Sequence, residues 1–168
     1  MKLPAMIEAY LAGPATLRAA VRGMSREQLT ARPVAGKWST LEVVCHLADF
    51  DPILADRMKR VIAEDRPQLL GADEKRFAAA LAYHQRDLEE ELVLIETTRA
   101  QLARILRTLP EEALQRVGVH NERGELTLER MLTLATNHVP HHVKFIAEKR
   151  QQPLQRQRAA LVMNADAL

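Results

Sequence analysis

Apolar residues return along this chain in steps of three and four, with charged residues between them, a rhythm that predicts helices almost throughout. A first helix is expected from about Met6 to Val21, with Gly13-Pro14 as a kink or break inside it. Ser25 and Gln28 have capping-box spacing for one short turn, followed by a loop over Arg32–Lys37. The second long helix has the clearest start, because Ser39 and Glu42 form a capping box ahead of Leu41, Val44, Leu47, Leu54, Met58 and Val61. Asp65-Arg66-Pro67 supplies its stop. A third helix is expected over roughly Ala82–Leu106, after a separate turn at Asp73–Ala80. Its seam of Leu88, Leu92, Ile95, Leu102, Leu106 and Leu109 has one seven-residue gap, which spans Arg99. The loop Val117–Glu125 leads to Thr127, the N-cap of a fourth helix ending near Arg150. Little of the chain alternates like a strand. The pattern predicts an all-α four-helix bundle over residues 1–150, and a tail at 151–168 that is partly ordered or packs on a neighbour.

Composition narrows the setting. The 168 residues are enough for one domain with its own core, and 47% apolar with 27% charged residues is the balance of a globular protein. Only 4% are aromatic, which favours helix over sheet. A net charge of +2 is too slight for a nucleic-acid partner. No apolar run approaches the roughly 18 residues of a membrane span, and the amino terminus does not read as a signal peptide. With Cys45 as the one cysteine, an intrachain disulfide framework and a Cys-rich zinc site are excluded, and the expected location is the cytoplasm.

The chemistry lies in the histidines. His138 and His142 stand at i and i+4 of the fourth helix, so both rings share one face about 6 Å apart along the axis. Leu128, Met131, Ala135 and Phe145 share that stripe, which turns the rings inward. Inward imidazoles need either hydrogen-bond partners or a metal, and spacing alone leaves both open. Pro140, between them, costs an ordinary helix about 3 kcal/mol, to be offset by a metal bond or by packing around a kink.

A third ligand is sought among the remaining histidines. His141 points about 100° away, His84 reads as a solvated end residue, and His120 falls in a polar loop. His46 sits in the most apolar helix start, where a histidine without a strong partner is costly, and is the best third ligand. Glu42 and Asp49 lie one turn on either side of it and could orient its free ring nitrogen; Asp49 is preferred because Glu42 already caps the helix. Arg57 shares the azimuth of His46 about 16 Å further on, within reach of a carboxylate-bearing substrate arm if a cleft runs that far. Trp38 reads first as a staple for the helix start, and Cys45 as a small buried hydrophobe.

Gly36-Lys-Trp-Ser-Thr-Leu-Glu-Val-Val-Cys-His-Leu-Ala-Asp49 resembles the first signature of the DinB superfamily, which includes a YfiT-like thiol-transferase branch. Gly124–Leu132 running into Asn137-His-Val-Pro-His-His142 resembles its second. The resemblance implies a four-helix bundle whose metal is held by His46, His138 and His142, in agreement with the spacing. Three imidazoles leave a coordination position open, as in catalytic sites. One divalent first-row ion is expected, zinc or nickel foremost, with iron or manganese as alternatives. The leading functional reading is transfer of a low-molecular-weight thiol to an electrophile. A metal-dependent hydrolase and a non-enzymatic metal- or ligand-binding bundle are the alternatives, and a homodimer is the expected assembly.

Overall fold

In the computed structural model, which describes residues 2–151, most helix starts coincide with capping side chains. Helix α1 (Leu3–Val21) opens with Pro4 in its first turn. Both α2 (Arg26–Thr30) and α3 (Thr40–Ala63) are headed by reciprocal capping boxes, Ser25 with Gln28 and Ser39 with Glu42. Asp73 caps α4 (Glu74–Ala80), Asp87 caps α5 (Leu88–Leu106) and Thr127 caps α6 (Leu128–Arg150). The third long helix therefore starts six residues later than the expected Ala82. Asp87 accepts from the amides of Glu89 and Glu90, and the segment before it is a 3-10 turn, Tyr83–Gln85, entered through Ala82 at φ 49°. Of the predicted tail at 151–168, only Gln151 lies within the described residues.

Helices α1, α3, α5 and α6 form the bundle. Each of α1 and α3 packs against both α5 and α6, so α3 and α6, which carry the histidines, are neighbours. The expected break at Gly13-Pro14 does not occur, and α1 runs through both residues. Proline leaves the Tyr10 carbonyl without its i+4 amide. Arg99 takes that carbonyl at 2.9 Å, reaching it over Gly13, where a Cβ would stand 2.1 Å from the guanidinium Nη1. The seven-residue gap in the α5 seam is thus filled by a wholly buried arginine, which also binds Asp51 through two bonds and the Ala135 carbonyl. Pro140 likewise leaves α6 continuous, and it lies on the exposed face.

The all-α expectation needs one addition, a three-stranded sheet in the order β1–β2–β3. The segment read as a polar loop is a hairpin of β2 (Val117–His120) and β3 (Gly124–Thr127), with Gly124 at φ 69° closing the three-residue turn. Strand β1 (Gln68–Leu69) pairs parallel to β2. Gly118 permits this close packing, since a Cβ there would meet Leu69 and Val61 at 2.7 Å. The hairpin is tied to the bundle by Arg116, which donates to the Val61 and Glu64 carbonyls at the end of α3. Among the described residues no helix is long and apolar enough to cross a membrane.

Candidate metal centre

His46 is carried by the buried face of α3, just past the Ser39 cap, and is 1% exposed. His138 and His142 come from the facing side of α6, one turn apart and half-buried. The structure brings the three together: one ring nitrogen from each lies within 4.8 Å of the others. The Nε2 atoms of His46 and His138 are 3.1 Å apart. Two imidazoles on a tetrahedral ion, with bonds of about 2.05 Å, would hold their nitrogens about 3.3 Å apart, so the spacing fits a shared first-row cation. Ring centroids separated by 4.8 to 5.0 Å complete the triangle.

Electrostatics suits the same role. Burial, reinforced by each neighbouring imidazole, pushes His46, His138 and His142 down to about 3. All three are therefore neutral at physiological pH, the form that offers a lone pair to a metal. The two facing Nε2 atoms have only each other, one donating to the other, and Nδ1 of both His46 and His138 is buried without a partner among the described residues. This donor set fits a divalent ion.

The remaining sequence candidates fall elsewhere. Asp49 does not orient His46. Its carboxylate takes both oxygens to Arg86 at 2.9 and 3.0 Å, and Arg86 also holds Glu91. Glu42 accepts from Arg32 and from the Ser39 amide; burial works to raise its pKa, but those donors outweigh it and hold it low. Neither carboxylate bonds a ring of the triad, because each faces a cation brought in from another part of the chain. Cys45 is wholly buried, donates toward the Tyr83 carbonyl, and is pushed up to about 12 by burial. Trp38 does more than staple the helix, with its ring 5.1 Å from His46. His84 is exposed, as expected, and His141, which is not part of the triad, is exposed as well.

His120 overturns its expectation. It is 4% exposed on β2 and lines the same cavity as His46 and His138, a space of about 360 Å³. That cavity reaches Arg57, so the cleft does run down α3. A second cavity, lined by Trp38, His142, Phe145 and Lys149, opens on the other side of the triad. Glu74, exposed in the first turn of α4, lines both. No spacing in the chain points to Glu74, because its approach to the triad depends on where the 64–73 connection lays α4.

A helical bundle with a three-histidine centre between neighbouring helices defines the class, and the comparisons with known proteins agree. A model of the DinB superfamily matches residues 9–146, and the chain belongs to that superfamily. It is 32% identical over 136 residues to a Bacillus subtilis protein named "Putative metal-dependent hydrolase YfiT", covering 80% of this chain and 76% of that one. A relative from Oceanobacillus iheyensis, "Putative metal-dependent hydrolase OB0782", is 29% identical over 133 residues, covering 79% and 77%. The solved structure of Bacillus subtilis YfiT, described as "a probable metal-dependent hydrolase with an unusual four-helix bundle topology", superposes with a TM-score of 0.82 at 29% identity, over 88% of this chain and 85% of that one.

Proposed function

We propose that the protein is a divalent-metal-dependent hydrolase, with His46, His138 and His142 as the protein ligands. When bound, the ion supplies Lewis acidity that polarises an acyl or phosphoryl oxygen and makes water acidic near neutral pH. The observation that carries this reading is the convergence of three neutral imidazoles, with nitrogens within 4.8 Å of one another, at a cavity wall where nothing from the chain supplies a fourth ligand among the described residues. Glu74, exposed and lining both cavities beside the triad, is the carboxylate suited to accept a proton from water. The relatives' names point the same way.

Transfer of a small thiol is the second reading, and one observation favours it. No carboxylate joins the three histidines among the described residues, and a thiol ionised by a cation needs no base. One assay separates the two. Protein loaded with zinc, nickel or manganese is given p-nitrophenyl acetate, and separately cysteine with a model electrophile. Ester hydrolysis should require metal, vanish in His138→Ala and fall about 100-fold in Glu74→Gln. Thiol addition that requires metal and ignores Glu74→Gln would replace the hydrolase by the transferase. No metal-dependent rate with ester, amide or phosphoester substrates, or with the thiol, would leave a binding protein.

A further inference from the structure

The cavity beside the triad extends well beyond any reacting atoms, and its two long walls are stripes of side chains that run away from the metal ligands in parallel. On α3 the stripe is His46, Phe50, Leu54 and Arg57, at steps of four, four and three. On α6 it is His138, Leu134 and Met131, at steps of four and three in the reverse chain direction. From His46 to Arg57 the helix rises about 16 Å. The space thus has a metal-ligand head, an apolar middle and a different chemistry at its foot.

That foot is rich in donors. Arg57 gives one nitrogen to the Leu70 carbonyl, but its Nε is buried with no partner among the described residues. Arg123, from the turn of the hairpin, lies near enough to repel Arg57 and His120. No ion pair joins either arginine to a carboxylate among the described residues. His120 accepts the Glu122 amide at Nδ1 over 3.1 Å, so its neutral ring carries the proton on Nε2 as one more donor. Glu122, packed over Gly71, is the carboxylate lining this end, and it and Asp56 both act on Arg57 without forming an ion pair with it among the described residues. Two guanidinium groups crowded together, one with a desolvated and unused N–H, are unfavourable unless an anion joins them.

We propose that this cavity takes an elongated small molecule bearing a terminal carboxylate, seated on Arg57, Arg123 and His120, with its middle against Phe50, Leu54, Leu134 and Met131 and its reactive bond at the triad. The proposal rests on the metal reading only for the position of the reactive end.

Calorimetric titration of zinc-loaded protein with octanohydroxamate and with suberate monohydroxamate tests it, because both grip an ion and only the second carries a distant carboxylate. Suberate monohydroxamate should bind about tenfold more tightly or better, and that advantage should disappear in Arg57→Gln/Arg123→Gln while octanohydroxamate is unaffected. Glutarate monohydroxamate, too short to span the apolar middle, should show no advantage over its uncharged counterpart. Equal affinities for the two eight-carbon ligands would overturn the carboxylate site and leave the metal centre standing. If neither hydroxamate binds, the metal reading has failed and the foot is tested by itself with suberate and ¹⁵N-labelled protein. The Arg57 Nε–H resonance, identified by its loss in Arg57→Lys, should then shift, and an unmoved resonance would overturn the proposal.

Discussion

Two buried polar clusters cross the interior of this bundle, and their accounts close differently. Around Arg99 every group meets a partner: Asp51 takes two bonds at 2.5 and 2.9 Å, the Tyr10 and Ala135 carbonyls take two more, and the guanidinium lies 4.6 Å from the Tyr10 ring centroid. Around His46 the balance fails: the two facing Nε2 atoms have only each other, and Nδ1 of both His46 and His138 is buried without a partner among the described residues. Arg99 donates once to α1, twice to α3 and once to α6, so that cluster is a junction complete within the chain. The histidine cluster is complete only with something from outside. Burial alone does not mark a functional group; what distinguishes the two regions is whether the donors and acceptors balance.

The largest effect should come from unbalancing the junction. Arg99→Ala leaves Asp51 buried and unpaired, and chemical denaturation should show a loss of about 3 to 5 kcal/mol. Replacing both partners, Asp51→Leu with Arg99→Met, should recover most of it, and failure of that double variant to outperform Arg99→Ala would mean the pair is not the source of the cost. The opposite is expected at the triad. His138→Gln should lower zinc affinity about 100-fold, measured by competition with a chelator, while the helical circular dichroism of the metal-free protein stays intact. Chelation that abolishes helicity at room temperature would make the centre structural and erase the contrast.

The smallest expected effect concerns pH. With the triad histidines held near 3, protons compete little with metal, so zinc affinity should stay nearly flat from pH 7.5 to 5.5. A solvated triad would lose affinity progressively across that range. The metal-free protein has its own signature. Its unfolded histidines take up protons as pH falls through 6.5 while the folded ones do not, so stability should fall from there toward 3. The variant with all three histidines changed to Gln should show a shallower decline, and parallel pH curves would show that burial does not hold the rings neutral.

The features readable from the chain were those whose partners are close in sequence or obey a fixed period. The capping boxes at Ser25 and Ser39 need only three residues of context, and the His138–His142 pair needs only the helical repeat. Asp49 misleads because its true partner, Arg86, is 37 residues away and arrives through the 3-10 turn after α4. The sheet escapes detection for a similar reason. Val117–His120 alternates for only two cycles, and its parallel partner β1 is two residues long and lies before α4. His120 and Arg123 reach the cavity only once that pairing exists, so half of the site depends on contacts that no local pattern announces.

Pro14 has a consequence for assembly as well as for helix geometry. In a regular helix every interior carbonyl is already engaged, so one turn looks much like the next to a neighbour sliding past. Pro14 frees one carbonyl, Tyr10, and Gly13 beside it clears the space through which a guanidinium can enter. Shifting α1 by one turn, about 5.4 Å, would leave Arg99 facing occupied carbonyls and an added Cβ. Gly13-Pro14 therefore acts as a keyway that admits α5 at one register alone. Because the same arginine also grips α3 and α6, fixing that register fixes the height at which His46 meets His138.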